Sequence, residues 1–154
     1  MPNMPRRRRA RTLALVAALA AAAGLAACGD AEPSEPEEGT VVVFAFTGWP
    51  EDTMRVLVRT ETTVTAARDF IAGRSHANIP IGPIVRGSGV DARWPYHYVP
   101  EEVQLAEVAI ELCDGAPMRT PAAVDEFFLG STGDPAATRA TWCPWGAYPV
   151  AVEE

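Results

Sequence analysis

Two cysteines in the second half of the chain constrain the fold more than any other feature. Cys113 and Cys143 are the only cysteines in the part of the chain expected to fold, since the third, Cys28, lies at the end of the N-terminal leader. An exported chain carries its cysteines into an oxidising compartment, where an even pair is usually a disulfide. Closing a loop of about 30 residues stabilises a domain by roughly 3 to 4 kcal/mol. A metal site or a reactive thiol is the alternative, but neither cysteine has the neighbouring thiol or histidine that zinc sites use. We therefore expect the two cysteines to be bonded to each other.

Residues 1–27 have the pattern of an export signal. A cluster of arginines from Arg6 to Arg11 precedes an apolar run from Leu13 to Ala27. This run has about 15 residues, whereas a helix needs roughly 20 to span a bilayer. We therefore predict a cleaved signal peptide rather than a membrane span.

The leader ends in Leu25-Ala26-Ala27-Cys28, which resembles the lipobox of bacterial lipoprotein signal peptides. In that motif the cysteine becomes the first residue after cleavage and is lipidated on its sulfur, and its amine is often acylated as well. More than one acyl chain is what stable anchoring requires. An ordinary secretory signal cut near Ala27 is the alternative. We expect Cys28 to be lipidated, which places the chain at the bacterial cell envelope, outside the cytoplasm, with the membrane as a partner.

The chain without its leader is strongly acidic. The five arginines of the leader are lost, which leaves eight arginines, no lysine and all twenty acids, a net charge of −12. Such a surface repels nucleic acid, which is therefore not expected as a partner. After Cys28, residues 29–40 contain two prolines, five acids and no large apolar residue, so residues 28–40 are predicted to be an extended linker.

Residues 41–152 have an ordinary length for one domain with a single core. We predict a strand over Val41–Phe46 that is buried on both faces, a turn over Thr47–Asp52 and a second strand over Met54–Thr60. Helices are predicted over Thr62–Ala72, capped by Thr62 or Thr63 and closed by Gly73, and over Thr120–Gly130, capped by Thr120.

The remaining strands are shorter or interrupted. Ile79–Val85 contains Pro80 and Pro83, so we expect it at a sheet edge or broken. Tyr96–Val99 and a last segment from about Ala147 are further strands. In Val108–Gly115, alternation predicts a strand with Val108, Ile110 and Leu112 on one face. Because turns connect most strands, the fold class is α+β, a single domain with a mainly antiparallel sheet, two helices and one disulfide.

His97 is the first candidate for chemistry, because it lies between two tyrosines in Trp94-Pro95-Tyr96-His97-Tyr98-Val99-Pro100. It suits a general base or a hydrogen-bonding group in a cleft, with Glu111 or Asp114 as the orienting carboxylate. A structural histidine is the other interpretation, and no nucleophile motif accompanies His97. Since His76 is the only other histidine, we expect no metal site, and we infer no cofactor.

The tryptophans are the second candidate feature. Trp49, Trp94, Trp142 and Trp145 are predicted at strand ends, and three of them adjoin a proline. Rigid aromatic faces at one end of a sheet suit a glycan or peptide platform, whereas in a small domain they also fill core corners. The candidate binding residues are Trp94, Tyr96, His97, Tyr98 and Trp145.

Several stretches together resemble a family of small exported domains, found in many bacteria and at the N-terminus of a seventy-four-kilodalton binding protein of social amoebae. The resemblance covers nearly all of residues 41–152, and its specificity lies in the order and spacing of Phe44-Ala45-Phe46-Thr47-Gly48-Trp49-Pro50, Ala67-Arg68 with Gly73, Gly82-Pro83-Ile84-Val85, Trp94-Pro95-Tyr96-His97-Tyr98-Val99-Pro100, Ile110-Glu111-Leu112-Cys113-Asp114 and Trp142-Cys143-Pro144-Trp145. This chain departs from the family at Val99, where an acidic residue is usual.

Bacterial members of this family are often labelled calmodulin-binding, but the residues do not favour calmodulin as a partner. A calmodulin target is a basic amphipathic helix. The first predicted helix has Arg68 beside Asp69, and the second carries Asp125 and Glu126. The sequence therefore predicts a membrane-anchored, extracytoplasmic binding domain for a protein, peptide or glycan of the envelope, more in keeping with a binding protein than with an enzyme. The alternatives are a hydrolase-like enzyme using His97 with Glu111 or Asp114, and an inhibitor or partner-protein module.

Overall fold

The computed structural model describes residues 38–153. The predicted signal peptide, the lipobox cysteine Cys28 and the linker up to residue 37 lie outside the described residues. Within them, the elements in chain order are β1 (Thr40–Phe46), β2 (Trp49–Val58), α1 (Glu61–Ile71), β3 (Ile79–Arg86), β4 (Tyr96–Tyr98), β5 (Gln104–Ala106), a 3₁₀ turn (Glu111–Cys113), α2 (Pro121–Thr132), β6 (Ala140–Trp142) and β7 (Ala147–Glu153). The pairings are antiparallel, which confirms the predicted α+β class.

The first sheet has the order β2-β1-β7. The predicted hairpin of β1 and β2 is confirmed, but its turn is only Thr47-Gly48, with Gly48 at φ 89°, and β2 already begins at Trp49. The pairing shifts register between Ala45–Thr53 and Phe46–Trp49, so residues 50–52 of β2 form an irregularity beside the turn. The prediction that β1 is buried on both faces is wrong, because Val42, Phe44 and Phe46 are buried while the residues between them are only half-buried.

β3 is the centre of the second sheet, so the prediction of an edge or broken strand is wrong. Ile84 pairs with Tyr98 of β4 and also with Ala140 of β6, while Ile79–Ile81 pair with β5. The prolines lack an N–H but keep their carbonyls: Pro83 O accepts from Val99 N at 2.9 Å, and Pro80 O accepts from the Tyr98 hydroxyl at 3.2 Å. Proline removes one donor from a strand; Pro83 lies between the residues that pair with β4 and those that pair with β5, while Pro80 faces Leu105 within the β5 pairing.

The two helices begin and end close to the predicted positions. The N-cap of α1 is Thr60 rather than Thr62 or Thr63, and the Thr60 side chain makes no capping hydrogen bond. Gly73 follows α1 in the left-handed region, as predicted. In α2, the Thr120 side chain accepts from Ala123 N at 3.2 Å, which confirms the predicted cap. α2 ends at Gly133, with φ 72°, and not at Gly130.

One hydrophobic core joins the two sheets and both helices. Trp142 is its central aromatic residue: its ring centroid lies 5.1 Å from that of Tyr96, edge to face, and 5.5 Å from that of Tyr98, stacked. The indole N–H of Trp142 donates to Gly115 O at 3.2 Å, so this large side chain is buried without losing its hydrogen bond.

The predicted strand Val108–Gly115 is not formed. Ala106 pairs with Ile79, the first residue of β3, so the residues that would face Val108 belong to the loop before β3. The chain instead runs unpaired to the 3₁₀ turn Glu111–Cys113. Cys113 is bonded to Cys143, as predicted, with their Cα atoms 5.1 Å apart. The disulfide therefore attaches this irregular segment to the residue that follows β6.

Candidate functional site

His97 lies on the outward side of β4, paired with Val85. Its Nδ1 is 2.8 Å from Gly87 O, and a Cβ added at Gly89 would lie 2.8 Å from the Cβ of His97, so the loop after β3 packs closely on the histidine. The cavity beside His97 has a volume of about 10 Å³, room for a single water. In the described residues no hydrogen bond or ion pair joins His97 to Glu111 or Asp114. These contacts are those of a side chain that fixes a loop.

Trp94, Tyr96 and Tyr98 lie in the core. All three are buried, and their rings contact Phe46 or Trp142 or each other. Burial raises the pKa of both tyrosines, and the structure gives their hydroxyls different surroundings. The Tyr98 hydroxyl donates to backbone carbonyls, whereas the Tyr96 hydroxyl lies near the Met118 backbone but makes no hydrogen bond of acceptable geometry. Of the five candidate binding residues, Trp145 is the one with a broadly exposed ring.

Three segments meet at one end of the domain, which we call the hairpin-tip end: residues 47–49, 107–117 and 143–146. Thr47 N donates to Gly146 O at 2.7 Å, and Trp145 N donates to Asp114 Oδ1 at 2.9 Å. Cys143 N donates to Cys113 O at 2.8 Å beside the disulfide. Hydrogen bonds and one covalent bond therefore hold three irregular segments together. This arrangement is a preorganised surface built on a rigid sheet.

A cleft of about 120 Å³ opens among these segments. Its lining is aromatic and proline-rich with one carboxylate: Phe46, Trp49, Asp114, Gly115, Ala116, Pro117, Pro144 and Gly146. Trp49 is 45% exposed and Trp145 is 42% exposed, so two indole rings are accessible at this end. Asp114, the only one of the candidate catalytic residues at this cleft, accepts a backbone N–H and is exposed. The chemistry offered is apolar contact with one hydrogen-bond acceptor, which suits binding.

The most exposed apolar side chains of the described residues are at the same end. Val108 is 81% exposed, Ile110 67% and Leu112 85%, while Ala109 between them packs on the cluster of Ile79 and the disulfide. Sequence reasoning placed these three side chains on one face of a strand. That strand is not formed and Leu112 lies in the 3₁₀ turn, so the alternation predicted neither the conformation of the segment nor its exposure.

The arginines of the described residues are all engaged in ion pairs with acids outside residues 107–117. Each of the eight arginines of the described residues has an acidic partner: Arg55 with Glu153, Arg59 with Glu101, Arg68 with Glu61, Arg74 with Asp69, Arg86 with Asp125, Arg93 with Asp91, Arg119 with Asp52, and Arg139 with Glu102. In the Arg93–Asp91 pair, hydrogen bonds also stabilise the charged carboxylate of Asp91. Burial of Asp91 opposes its charge, but hydrogen bonds from the Arg93 side chain and from the backbone N–H groups of Arg55 and Arg93 outweigh it and lower its pKa to about 2.

Other parts of the described chain are less suited to a ligand. A shallow cleft of about 340 Å³ between α1 and β5 is lined mainly by polar side chains such as Thr60, Thr63 and Gln104. Between residues 38 and 153 no group of three or more histidine, cysteine or acidic side chains is placed to hold a metal ion. No helix in that range is long and apolar enough to cross a membrane.

Comparison with known proteins gives one finding that identifies a family. No curated protein and no solved structure shows a significant match to this chain. The family of the N-terminal domain of the seventy-four-kilodalton binding protein, in contrast, matches residues 40–154, which include every helix and strand described above. The match covers more than half of the chain, and it has the extent expected from the resemblance in sequence. The chain therefore belongs to this family, the BP-74 N-terminal domain family.

Proposed function

We propose that the protein is a membrane-anchored, extracytoplasmic binding domain that uses the hairpin-tip end to bind a component of the cell envelope. The observation that carries the proposal is the disulfide-linked surface itself. It combines two exposed indole rings and a proline-lined cleft on segments that the Cys113–Cys143 bond holds in place. Preorganised aromatic surface is the usual source of binding energy at such sites.

The position of this surface in the domain supports display away from the membrane. The described chain begins at Glu38 and enters β1 at Thr40, which pairs with Val58. The hairpin turn is at the other end of β1, about 20 Å away for a seven-residue strand. If Cys28 carries the lipid anchor that the sequence predicts, the anchored chain enters the domain at the end of β1 opposite to the hairpin turn. The disulfide supports an oxidising location.

The enzymatic alternative has less support from the contacts. It needs His97 beside Glu111 or Asp114, but His97 contacts Gly87, whereas Asp114 belongs to the hairpin-tip end. We therefore base the proposal on binding, with Trp49, Asp114 and Trp145 as its central residues.

The anchor is tested by expressing the full chain and its Cys28→Ala variant in a bacterial host. The wild-type protein is expected in the membrane fraction and in the detergent phase on partitioning, while the variant is expected in the aqueous phase. Equal partitioning of the two proteins would contradict lipidation at Cys28.

Binding is tested with the immobilised Val41–Glu154 domain and an envelope extract of the source organism. A Trp49→Ser/Trp145→Ser variant should lose the captured component. The matched control Thr62→Ala changes an exposed residue in the first turn of α1, and should retain it. Thermal melts verify that all three domains fold. Equal capture by the tryptophan variant would rule out the hairpin-tip end as the binding surface.

A further inference from the structure

We propose that residues 107–114, which we call the apolar segment, bind a partner protein. The part of the partner that they bind is an extended stretch in which aliphatic and basic residues alternate. The inference rests on the proposed binding function and names the class of partner. It is carried by three features of this segment: exposed aliphatic side chains, a main chain without hydrogen bonds at residues 107–109, and carboxylates for which the described residues offer no cationic partner.

Three aliphatic side chains of the apolar segment are exposed on a backbone that the disulfide ties down. Val108, Ile110 and Leu112 are exposed, while Ala109 faces inward onto Ile79 and the disulfide. Ile110 has φ −83° and ψ 149°, an extended conformation, and its carbonyl accepts from Cys113 N. Exposed apolar side chains scattered singly need no explanation, but three at alternate positions beside a disulfide form a patch.

The backbone at the start of the apolar segment, residues 107–109, is free to pair. From Glu107 to Ala109, none of the described hydrogen bonds uses a main-chain N–H or C=O, because the pairing of β5 with β3 ends at Ala106. An extended chain with unpaired polar groups binds another strand by main-chain hydrogen bonds, and alternate side chains supply specificity. This geometry indicates an extended stretch of the partner rather than a helix.

The charge of the segment identifies the partner further. Glu107 and Glu111 take part in no described ion pair, and Asp114 accepts only a backbone N–H. Every described arginine has an acidic partner elsewhere, so no cation of the domain neutralises this patch. Complementary potentials favour lysine or arginine next to the apolar residues of the partner.

The same charges disfavour a second copy of the chain and an anionic lipid surface as binding partners of the apolar segment. A second copy of the chain would bring the carboxylates of one segment against those of the other. An anionic lipid surface would be repelled as well, and the apolar segment lies at the hairpin-tip end, away from Glu38, where the described chain begins. A basic protein segment meets neither difficulty.

The test uses the full chain, purified in detergent micelles, and a fluorescent, photoreactive eight-residue peptide in which arginine and valine alternate. Matched peptides alternate glutamate with valine, or arginine with serine. We expect saturable binding of the arginine–valine peptide, crosslinks within residues 107–114, and at least about fivefold weaker binding of both matched peptides. Raising the salt concentration should weaken binding, because the carboxylates are exposed.

Variants separate the apolar from the charged contribution. Val108→Ser/Ile110→Ser/Leu112→Ser should weaken binding of the peptide by about tenfold or more, because exposed side chains contribute little to folding but are covered in the complex. Glu107→Gln/Glu111→Gln should reduce the salt dependence. The control, Leu129→Ser/Val150→Ser, removes exposed aliphatic side chains elsewhere and should bind as the wild type does.

Four outcomes would overturn the proposal: no saturable binding, crosslinks outside residues 107–114, equal binding of the glutamate–valine peptide, or a triple-serine variant that binds normally. Self-association that the triple variant abolishes would instead assign the segment to a second copy. Binding to anionic vesicles that is lost in the triple variant would assign it to lipid. If the arginine–valine peptide does not bind but the tryptophan variant still loses its captured component, the partner class is wrong and the proposed binding function stands. If the peptide does not bind and the tryptophan variant captures as much as the wild type, both proposals are wrong.

Discussion

Removal of the Cys113–Cys143 disulfide is the perturbation with the largest calculable effect. The bond closes a loop with a sequence separation of 30 residues. In the chain-entropy treatment, a loop of that length restricts the unfolded chain by about 12 cal/mol/K, or about 3.6 kcal/mol at 25 °C. A domain of this size has a total stability of roughly 5 to 15 kcal/mol, so the loss is a large fraction of it.

This effect is isolated by comparing the free energy of unfolding of three proteins: the oxidised wild type, the reduced wild type and the variant Cys113→Ala/Cys143→Ala. Alanine is preferred to serine because both cysteines are buried and a hydroxyl there would lack a partner. Urea unfolding followed by tryptophan fluorescence should place the variant and the reduced protein about 3 to 4 kcal/mol below the oxidised protein. The melting temperature should fall by roughly 10 to 20 °C. A loss below about 1 kcal/mol, or clearly different values for the reduced protein and the variant, would refute the loop-closure argument.

The remaining predictions concern single side chains. The pKa of Asp91 is lowered to about 2, so the stabilisation it provides is complete above its unfolded pKa near 4 and is lost as the pH falls from about 4 to 2. In Asp91→Asn, the acid-induced loss measured over that range should shrink by about 2 kcal/mol, and an unchanged acid profile would contradict this. Tyr96→Phe removes a buried hydroxyl without a hydrogen bond, so urea unfolding should show unchanged or higher stability, by up to about 1 kcal/mol; a loss above about 1 kcal/mol would reveal a missing partner. Thr120→Ala removes the cap of α2 and should destabilise the domain by about 1 kcal/mol in the same assay, whereas Thr62→Ala, outside the capping position, should change it by less than about 0.5 kcal/mol.

The features predicted correctly from sequence depend on local chemistry. Thr120 followed by Pro121 forms the cap and first position of α2, because a side-chain acceptor and a preset φ act within one turn. The β1–β2 hairpin was predicted from two β-rich runs close in sequence, although its turn is shorter than expected. His76 lies in an exposed loop, as its polar neighbours indicated.

The errors arose where the outcome depended on residues far away in sequence. Two prolines suggested that β3 lies at an edge or is broken, but three separate segments pair with it, and both proline carbonyls still accept hydrogen bonds. The tyrosines beside His97 were predicted as candidate binding residues, but Trp142 packs on both rings. No local pattern in residues 94–100 indicates that Trp142 will be there.

The sequence by itself determined the α+β class, the second helix and the identity of the bonded cysteines, because periodicity, capping and an even count of cysteines are local or compositional properties. Only the tertiary structure decided which apolar faces are covered. Alternation predicted Val108, Ile110 and Leu112 on one face of a strand, but pairing ends at Ala106, Leu112 lies in the 3₁₀ turn, and all three side chains are exposed. The apolar segment is exposed because no neighbouring strand pairs with it. The residues that would face it come just before β3, which begins only at Ile79.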